Sequence, residues 1–502
     1  MSEKISHHDS AATGAATTSA TAKLRARTRT RGARDGTSFD ESGRCGCQGE
    51  VIRITVSDMP VIAPPLPYRR AEGKARIRSI KDQRSTQGNR GRKTAGSLSA
   101  LVAAGAFSQA ILALPAQAQE RPVDVPETVT ENLDPKGIPL GSFVLYPRWN
   151  EDLRYDTNVY NRPVAQDDLL LVLRPTARLA SNFGRHAVQL DVSGEARRYA
   201  YNEGENSEQW AVRGQGRLDL ANRFVISGYA GIADRIERRG TLGDEFVTDK
   251  PVSFREIIGG ASVAREGGVL EWKVSADSRR SAFDNSTSGG LPVDQSYRDA
   301  RRDSVSYRLD YHRFPRLGLT ARVTGTRLRY DDFKDRNSSG FSILGGITYE
   351  ATDLIDVEAV VGYVQHSAGA TGQPGIKAFD YALTAKWTPT PRSSFRLSGA
   401  RSVERAPQVQ LATVLQSTLD ASATYAVATR TLLSLDAGIE RDDFRGIDRK
   451  DTRYFAEASV RQLVTPQLAA VFGVGARKQS SSGLGGRDYS GATVRAGISL
   501  VL

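Results

Sequence analysis

Beyond residue 47 the sequence contains no cysteine, and beyond residue 118 it contains three histidines, His186, His312 and His366. A hydrolytic site would need a histidine and a nucleophile presented together, with a polar partner to orient the imidazole. Neighbouring residues place His186 on a short turn, His312 at a strand end and His366 on a long loop, so the three do not converge. His312 shares a polar face with Asp310 and Arg308 and reads as a hydrogen-bonded interior residue. The run Asp331-Asp332-Phe333-Lys334-Asp335-Arg336-Asn337 is rich in oxygen ligands. Lys334 and Arg336 interrupt it, however, and its spacing is not that of a calcium loop. Cys45 and Cys47 lack the further ligands that a zinc site requires. Gly214 and Gly216 lie inside an alternating stretch, with no helix N-terminus at hand to hold a phosphate. These residues predict no enzyme, no metal site and no cofactor.

What the chain does offer is charge at alternate positions. Arg148, Arg174, Arg178, Arg213, Arg217, Arg308, Arg322 and Arg396 fall on the polar side of alternating segments, together with Asp191, Asp219, Glu271, Asp310 and Asp380. If those segments are strands of one closed sheet, all of these side chains point to its inside. Mixed charge on such a wall would hold water and set up a transverse field suited to polar solutes. The same charges would serve equally well in pairs that only stiffen the wall, and both readings stand at this level.

The segments that must position them are strands. In residues 209–232 Trp210, Val212, Gly214, Gly216, Leu218 and Leu220 alternate with Gln209, Ala211, Arg213, Gln215, Arg217 and Asp219. A period of two puts the sets on opposite faces of a strand. Ala221-Asn222 leaves room for a tight turn, and Phe224, Ile226, Gly228, Ala230 and Ile232 resume the pattern, which makes a β-hairpin. Ten residues tilted by about 40° span about 25 Å, the height of the apolar band of an outer-membrane barrel. The same alternation starts near Ser142, with Phe143, Leu145, Trp149, Leu153 and Tyr155 opposite Arg148, Asn150, Asp152 and Arg154. It continues through Phe379, Tyr381, Leu383, Ala385 and Trp387 to Val494, Ala496, Ile498, Leu500 and Leu502.

The links between segments alternate in length. Short ones fall near 181–185, 221–222, 265–268, 314–316, 351–353, 388–393, 428–431 and 465–467. Longer polar ones fall near 156–167, 200–208, 234–252, 278–302, 330–340, 365–377, 402–413, 440–452 and 477–488. Eight short and nine long links imply about 18 strands, an even number, with both ends on the short-turn side. The expected fold is therefore all-β, a transmembrane antiparallel up-and-down β-barrel over 142–502. Trp149, Tyr155, Tyr311, Tyr330, Tyr363 and Trp387 lie near strand ends, where an interfacial aromatic girdle belongs.

The remaining segments read as export machinery. Residues 1–94 carry 19 Lys/Arg against nine Asp/Glu, while the rest of the chain balances at 50 against 48. The net charge of +12 therefore belongs to the leader, and no nucleic-acid partner is expected. Residues 1–93, rich in Ala, Ser, Thr, Arg and Gly, cannot bury a core and are expected to be a disordered basic leader. A start downstream of Met1, at Met59 or at a non-AUG codon, is a further expectation. Arg90, Arg92 and Lys93 precede the apolar run 98–114, and Ala116-Gln117-Ala118 then fits signal-peptide cleavage within 94–118, leaving Gln119 as the new N-terminus. Residues 119–141, with Pro122, Pro126, Pro135 and Pro139, read as an extended periplasmic lead-in.

Gly141-x-Phe143-x-Leu145-x-Pro147, Tyr155-Asp156-x-Asn158-Val159-Tyr160 and Leu173-Arg174-Pro175 resemble the opening of the outer-membrane β-barrel porins associated with exopolysaccharide biosynthesis operons. By motif the resemblance covers the first strands, and by architecture roughly 142–502. It implies a channel for polar solutes in the bacterial outer membrane that serves exopolysaccharide export. Its expected partners are outer-membrane lipid, the barrel-insertion machinery, and polysaccharide or export-system components. The alternative is a structural or assembly barrel of a surface-polysaccharide system with a closed lumen. Tyr146, Tyr199 and Tyr229 are the lumen aromatics available to a sugar polymer.

Overall fold

The computed structural model describes residues 136–502 apart from 246, 315, 353, 369–374, 409–410 and 412. The leader, the signal peptide with Ala116, Ala118 and Gln119, and most of the lead-in lie outside the described residues. A three-residue strand, β1 (Ile138–Leu140), folds back on the start of β2 (Phe143–Asp156). Then come β3 (Asp168–Ser181), β4 (Ala187–Tyr199), β5 (Ser207–Asp219), β6 (Phe224–Ile236), β7 (Ser253–Arg265) and β8 (Leu270–Phe283). A small hairpin, β9 (Ser286–Ser288) and β10 (Leu291–Val293), decorates the next loop. The wall resumes with β11 (Ala300–Tyr311), β12 (Leu317–Tyr330), β13 (Ser338–Thr352), β14 (Ile355–Ala368), β15 (Ile376–Thr390) and β16 (Ser393–Arg405). It is completed by β17 (Thr413–Ala428), β18 (Thr431–Phe444), β19 (Arg449–Leu463), β20 (Leu468–Ser482) and β21 (Tyr489–Val501).

Leaving out β1, β9 and β10, 18 strands pair with their neighbours in sequence, and β21 returns to pair with β2. Every pairing is antiparallel, and the return of β21 to β2 closes the sheet as an even-numbered barrel. Among the described residues no helix is long and apolar enough to cross a membrane; the crossing is made by strands. Alternation along each strand decides which side chains face out. Trp210, Leu218, Ile226 and Ile232 of the β5–β6 hairpin are exposed on the outer face, and Leu433, Leu435, Val494 and Ile498 are exposed likewise. On the inner face of β3, Leu170 and Val172 are buried. In a barrel that sits in lipid the exposed set is the bilayer contact.

Aromatic pairs mark the short-turn rim: Trp387 stacks on Phe395 at 5.1 Å, and Phe224 meets Trp272 edge-on at 6.0 Å. Trp149, Tyr155, Tyr311, Tyr363 and Trp387 are exposed on the outer face, but Tyr330 corrects the expected girdle. It has the parity of Leu328 rather than Val323, so it turns inward and is buried. Tyr381 is a second correction, buried where Phe379, two residues away, is exposed.

The eight short and nine long connections are those expected, but the long ones are shorter than the polarity of the sequence suggested. The expected link 440–452 shrinks to 445–448, and 278–302 to 284–299. Strands run past the apolar band here, where both faces meet water or loops and alternation disappears. The backbone ladder continues because each N–H and C=O still finds a partner across the strand.

Candidate functional site

The β2–β6 wall gathers the predicted arginines by register. Arg148 stands opposite Thr176, between Arg174 and Arg178 on β3. Arg178 pairs in register with Asp191, and Asp191 with Arg213. Arg178 Nε donates to Asp191 Oδ1 at 2.8 Å, and Gln189 Nε2 donates to the other carboxylate oxygen at 2.6 Å. Asp191 is thus already engaged. Arg213 instead lies over the ring of Tyr229 at 4.4 Å, a cation–π contact that orients a guanidinium without neutralising it. The Tyr229 hydroxyl donates to Asp277 at 2.6 Å. Among the described residues Arg213 makes no ion pair, and its Nε has no hydrogen-bond partner.

Arg148, Arg174, Arg178, Asp191 and Arg213 line one cavity of about 850 Å³ inside the barrel. Sequence reasoning missed the rest of its charged lining, because these groups lie in segments expected to be long loops or near their ends. Arg235 and Arg279 share one carboxylate, Glu256, each at 3.4 Å. Arg238, Arg298, Arg302 and Arg405 complete a set of ten arginines, against Asp191, Glu195, Glu237, Glu256 and Glu404. Tyr146 is the tyrosine on this lining; Tyr199 borders a second, smaller cavity.

The other predicted wall residues lie apart from this cavity. Arg217 sits at the short-turn end, held by Asp219 and Glu266, each at 2.8 Å. Arg308 bridges Asp310 at 2.7 Å and Glu358 at 2.9 Å, and Arg322 reaches the same Glu358 at 2.9 Å. Asp380 is buried and accepts a hydrogen bond from Ser342. Arg396 pairs in register with Lys386, and the Glu271 carboxylate accepts from Gly267 N at 2.7 Å. Across the lumen, β17 and β18 carry Gln416, Glu440 and Asp442, with Gln416 Nε2 donating to both carboxylates at 3.0 and 2.9 Å. Arg453 of β19 also pairs with Glu440 and Asp442. The arginine surplus therefore faces a wall whose carboxylates are largely spent on internal bonds.

The connection 237–252, 16 residues long like the 284–299 connection, folds across the mouth instead of standing away from it. Leu242 packs against Ala406, Leu411, Val414 and Phe444, reaching β17 and β18 on the opposite wall. Arg239 pins the loop through Glu205 at 2.6 Å, Asp244 at 3.3 Å and the Thr248 hydroxyl at 2.9 Å. Burial pulls the Arg239 guanidinium down, but its hydrogen bonds and charge contacts to Glu205 and Asp244 outweigh that and hold it above the usual arginine value. Asn161 Nδ2 donates to Arg239 O at 2.6 Å, and Arg487 reaches Asp244 Oδ2 at 2.7 Å. Gly240, at φ +80°, accepts at its carbonyl a hydrogen bond from the Tyr489 hydroxyl at 3.1 Å; a Cβ there would lie 2.5 Å from Asn161 Nδ2. Arg336 closes the neighbouring sector, donating to the carbonyls of Tyr297, Ala406, Gln408 and Leu411 at 2.7 to 3.0 Å.

Two histidines are not where the sequence placed them. His312 is exposed on the turn after β11, where its backbone N–H donates to Val269 O. His366 belongs to β14, inward and buried, on the cavity lining. His186 is on its turn and accepts from Asp219 N at 3.2 Å. No metal-holding cluster of His, Cys, Asp or Glu occurs among the described residues.

Residues 131–501 match the family model described as "Putative beta-barrel porin 2", and the chain belongs to that family. No curated protein matches the sequence. Among solved structures it is similar to the outer membrane protein opdK of Pseudomonas aeruginosa, at 11% identity and a TM-score of 0.40, over 71% of this chain and 99% of that one. It is similar also to the siderophore receptor PirA of Acinetobacter baumannii, at 7% identity and a TM-score of 0.40, over 71% and 80%. The FrpB iron transporter of Neisseria meningitidis is similar at 9% identity and a TM-score of 0.39, over 74% and 83%.

Proposed function

We propose that this member of the porin family is an outer-membrane channel for polar solutes that prefers small anions. The observation that carries the reading is the cavity below the 237–252 loop, where ten arginines meet five carboxylates. A surplus of fixed positive charge on low-dielectric walls raises the local concentration of anions. Loop and wall together make a constriction, so the charge acts where the path is narrow. The test is the reversal potential of the reconstituted protein in a potassium chloride gradient. Chloride selectivity supports the reading, and cation selectivity overturns it.

The finer expectation that the passenger is an exopolysaccharide rests on the resemblance of the first strands. The arginines would suit an acidic sugar chain, and few lumen aromatics are available for stacking. Block of the ionic current by an acidic oligosaccharide, without block by a neutral one of equal length, is the outcome expected. The loops packed over the mouth favour one alternative, a structural barrel with a closed lumen; wild-type protein that conducts nothing at any voltage would establish it. Export by signal peptide predicts a mature N-terminus at Gln119. Mass spectrometry of the outer-membrane fraction checks this, and an intact species beginning upstream of Arg90 would refute it.

A further inference from the structure

Most neighbouring strands of the barrel are laddered along nearly their whole length; β16 and β17 pair from Ser393–Tyr425 to Arg405–Thr413. The β15–β16 ladder is different. It runs from Thr390–Ser393 to Ala382–Ala400 and stops, although β15 continues to Ile376 and β16 to Arg405. Residues 376–381 and 401–405 are strand without being partners of each other. The wall is split here at its long-loop end.

Side-chain parity shows what the split does. Val364 and Ile376 have the parity of the lumen face of β14 and β15, whereas Val403 and Leu415 have that of the lipid face of β16 and β17. All four form one buried apolar cluster, with Ala378 packed against it. The ends of β14 and β15 therefore lap over the outside of β16 and β17. The overlap explains why Leu415 and Ser417 are buried on a face that is exposed elsewhere, and Tyr381, beside the split, is buried against Arg401 and Ser417. Arg401 straps the lap: Nη1 donates to Phe379 O at 3.1 Å and Nε to Ser417 Oγ at 2.9 Å, and the guanidinium lies 5.0 Å from the Tyr381 ring centre.

Depth and access give the split a use. Phe379 and Trp387 are exposed on the same face of β15, eight residues apart, which is about 20 Å along the membrane normal for a strand tilted by about 40°. Phe379 thus marks the outer rim of the apolar band, and the split opens at that level. An open sheet edge in hydrocarbon is costly because its backbone groups find no partner. Among the described residues the lap is held by apolar contacts and by side-chain bonds of Arg401 and Tyr381, so it can slide without breaking a ladder. On the lumen side the large cavity reaches the same place, lined there by His366, Val403, Glu404, Arg405 and Thr413.

We propose that the wall parts between β15 and β16 and passes single-chain amphiphiles with an anionic head from the lumen into the outer leaflet. The head keeps to the arginines of the cavity while the tail follows Val403, Leu415, Val364 and Ile376 outward. This goes beyond the channel reading and needs from it only that the lumen admit solute.

The test uses the natural absence of cysteine from the barrel. Ile376→Cys with Val403→Cys places one thiol on each side of the lap, and oxidation locks it. The probe is a fluorescent lysophosphatidate loaded inside proteoliposomes and read by its exposure to a membrane-impermeant quencher outside. Oxidised protein should lose the translocation that the reduced protein and wild type show. Arg401→Ala should speed translocation severalfold. Equal translocation in the oxidised and reduced forms overturns the proposal. So does failure of the thiols to join, since the lap itself would then be absent. A wild-type protein that moves the amphiphile but carries no chloride current refutes the channel reading and leaves the side exit standing. One that carries chloride and moves no amphiphile does the reverse.

Discussion

Arg213 and Arg217 lie four residues apart on one face of one strand, yet their surroundings give them different work. Arg217 has two carboxylates at 2.8 Å and adds little net charge to the lumen. Arg213 has a tyrosine ring and no ion pair among the described residues. A unit charge about 5 Å from a permeant ion in water is worth roughly 0.8 kcal/mol, about a fourfold change in local concentration. The effect has opposite sign on potassium, so Arg213→Ala should lower the chloride-to-potassium permeability ratio by the square of that factor, roughly 16-fold, with unchanged heat-modifiable migration. Arg217→Ala should shift the ratio much less. A reversal potential that moves equally in both variants would show that pairing does not screen Arg217.

At the scale of the strand, what matters is depth on the lipid face. Val212 lies mid-way along β5, while Leu218 is one residue from its short-turn end. A cationic side chain facing lipid costs about 2–4 kcal/mol at the midplane and about 0–1 kcal/mol near an interface. Val212→Arg is therefore expected to impair insertion strongly, Leu218→Arg only slightly, and Arg217→Leu hardly at all. Urea titration of the folded fraction after refolding into vesicles measures all three. Equal loss from Val212→Arg and Arg217→Leu would contradict the facing of β5.

For the whole molecule the decisive feature is a loop laid across a closed ring. Eighteen strands enclose a lumen too wide for side chains to fill, and residues 237–252 occupy part of it. Replacing residues 241–250 by a short glycine linker should raise single-channel conductance severalfold and leave the barrel folded, since the wall ladders do not pass through the loop. Arg239→Ala should keep the mean conductance near wild type but add open-channel noise. It removes the bonds to Glu205, Asp244 and Thr248 without shortening the loop. Quiet single-channel traces from this variant would show that the apolar anchor at Leu242 holds the loop by itself.

Alternation of apolar and polar residues by itself determined the barrel, its strand count and the facing of Arg148, Arg174, Arg178, Asp191 and Arg213. A period of two is a local property, and one face of every strand had to meet lipid. It failed where that contrast is absent. Above the apolar band the strands of β18 and β19 run on through charged residues, so 440–452 read as loop, and Tyr330 and His366 were misplaced at such ends. Which arginines share a carboxylate and which do not was decided only by register between strands, since Asp191 meets both Arg178 and Arg213 but bonds to one. Likewise no spacing in the sequence brings Leu242 to Phe444 or Val364 to Val403. Those contacts exist because a closed ring sets distant segments face to face, and so the constriction and the lapped wall belong to the tertiary structure alone.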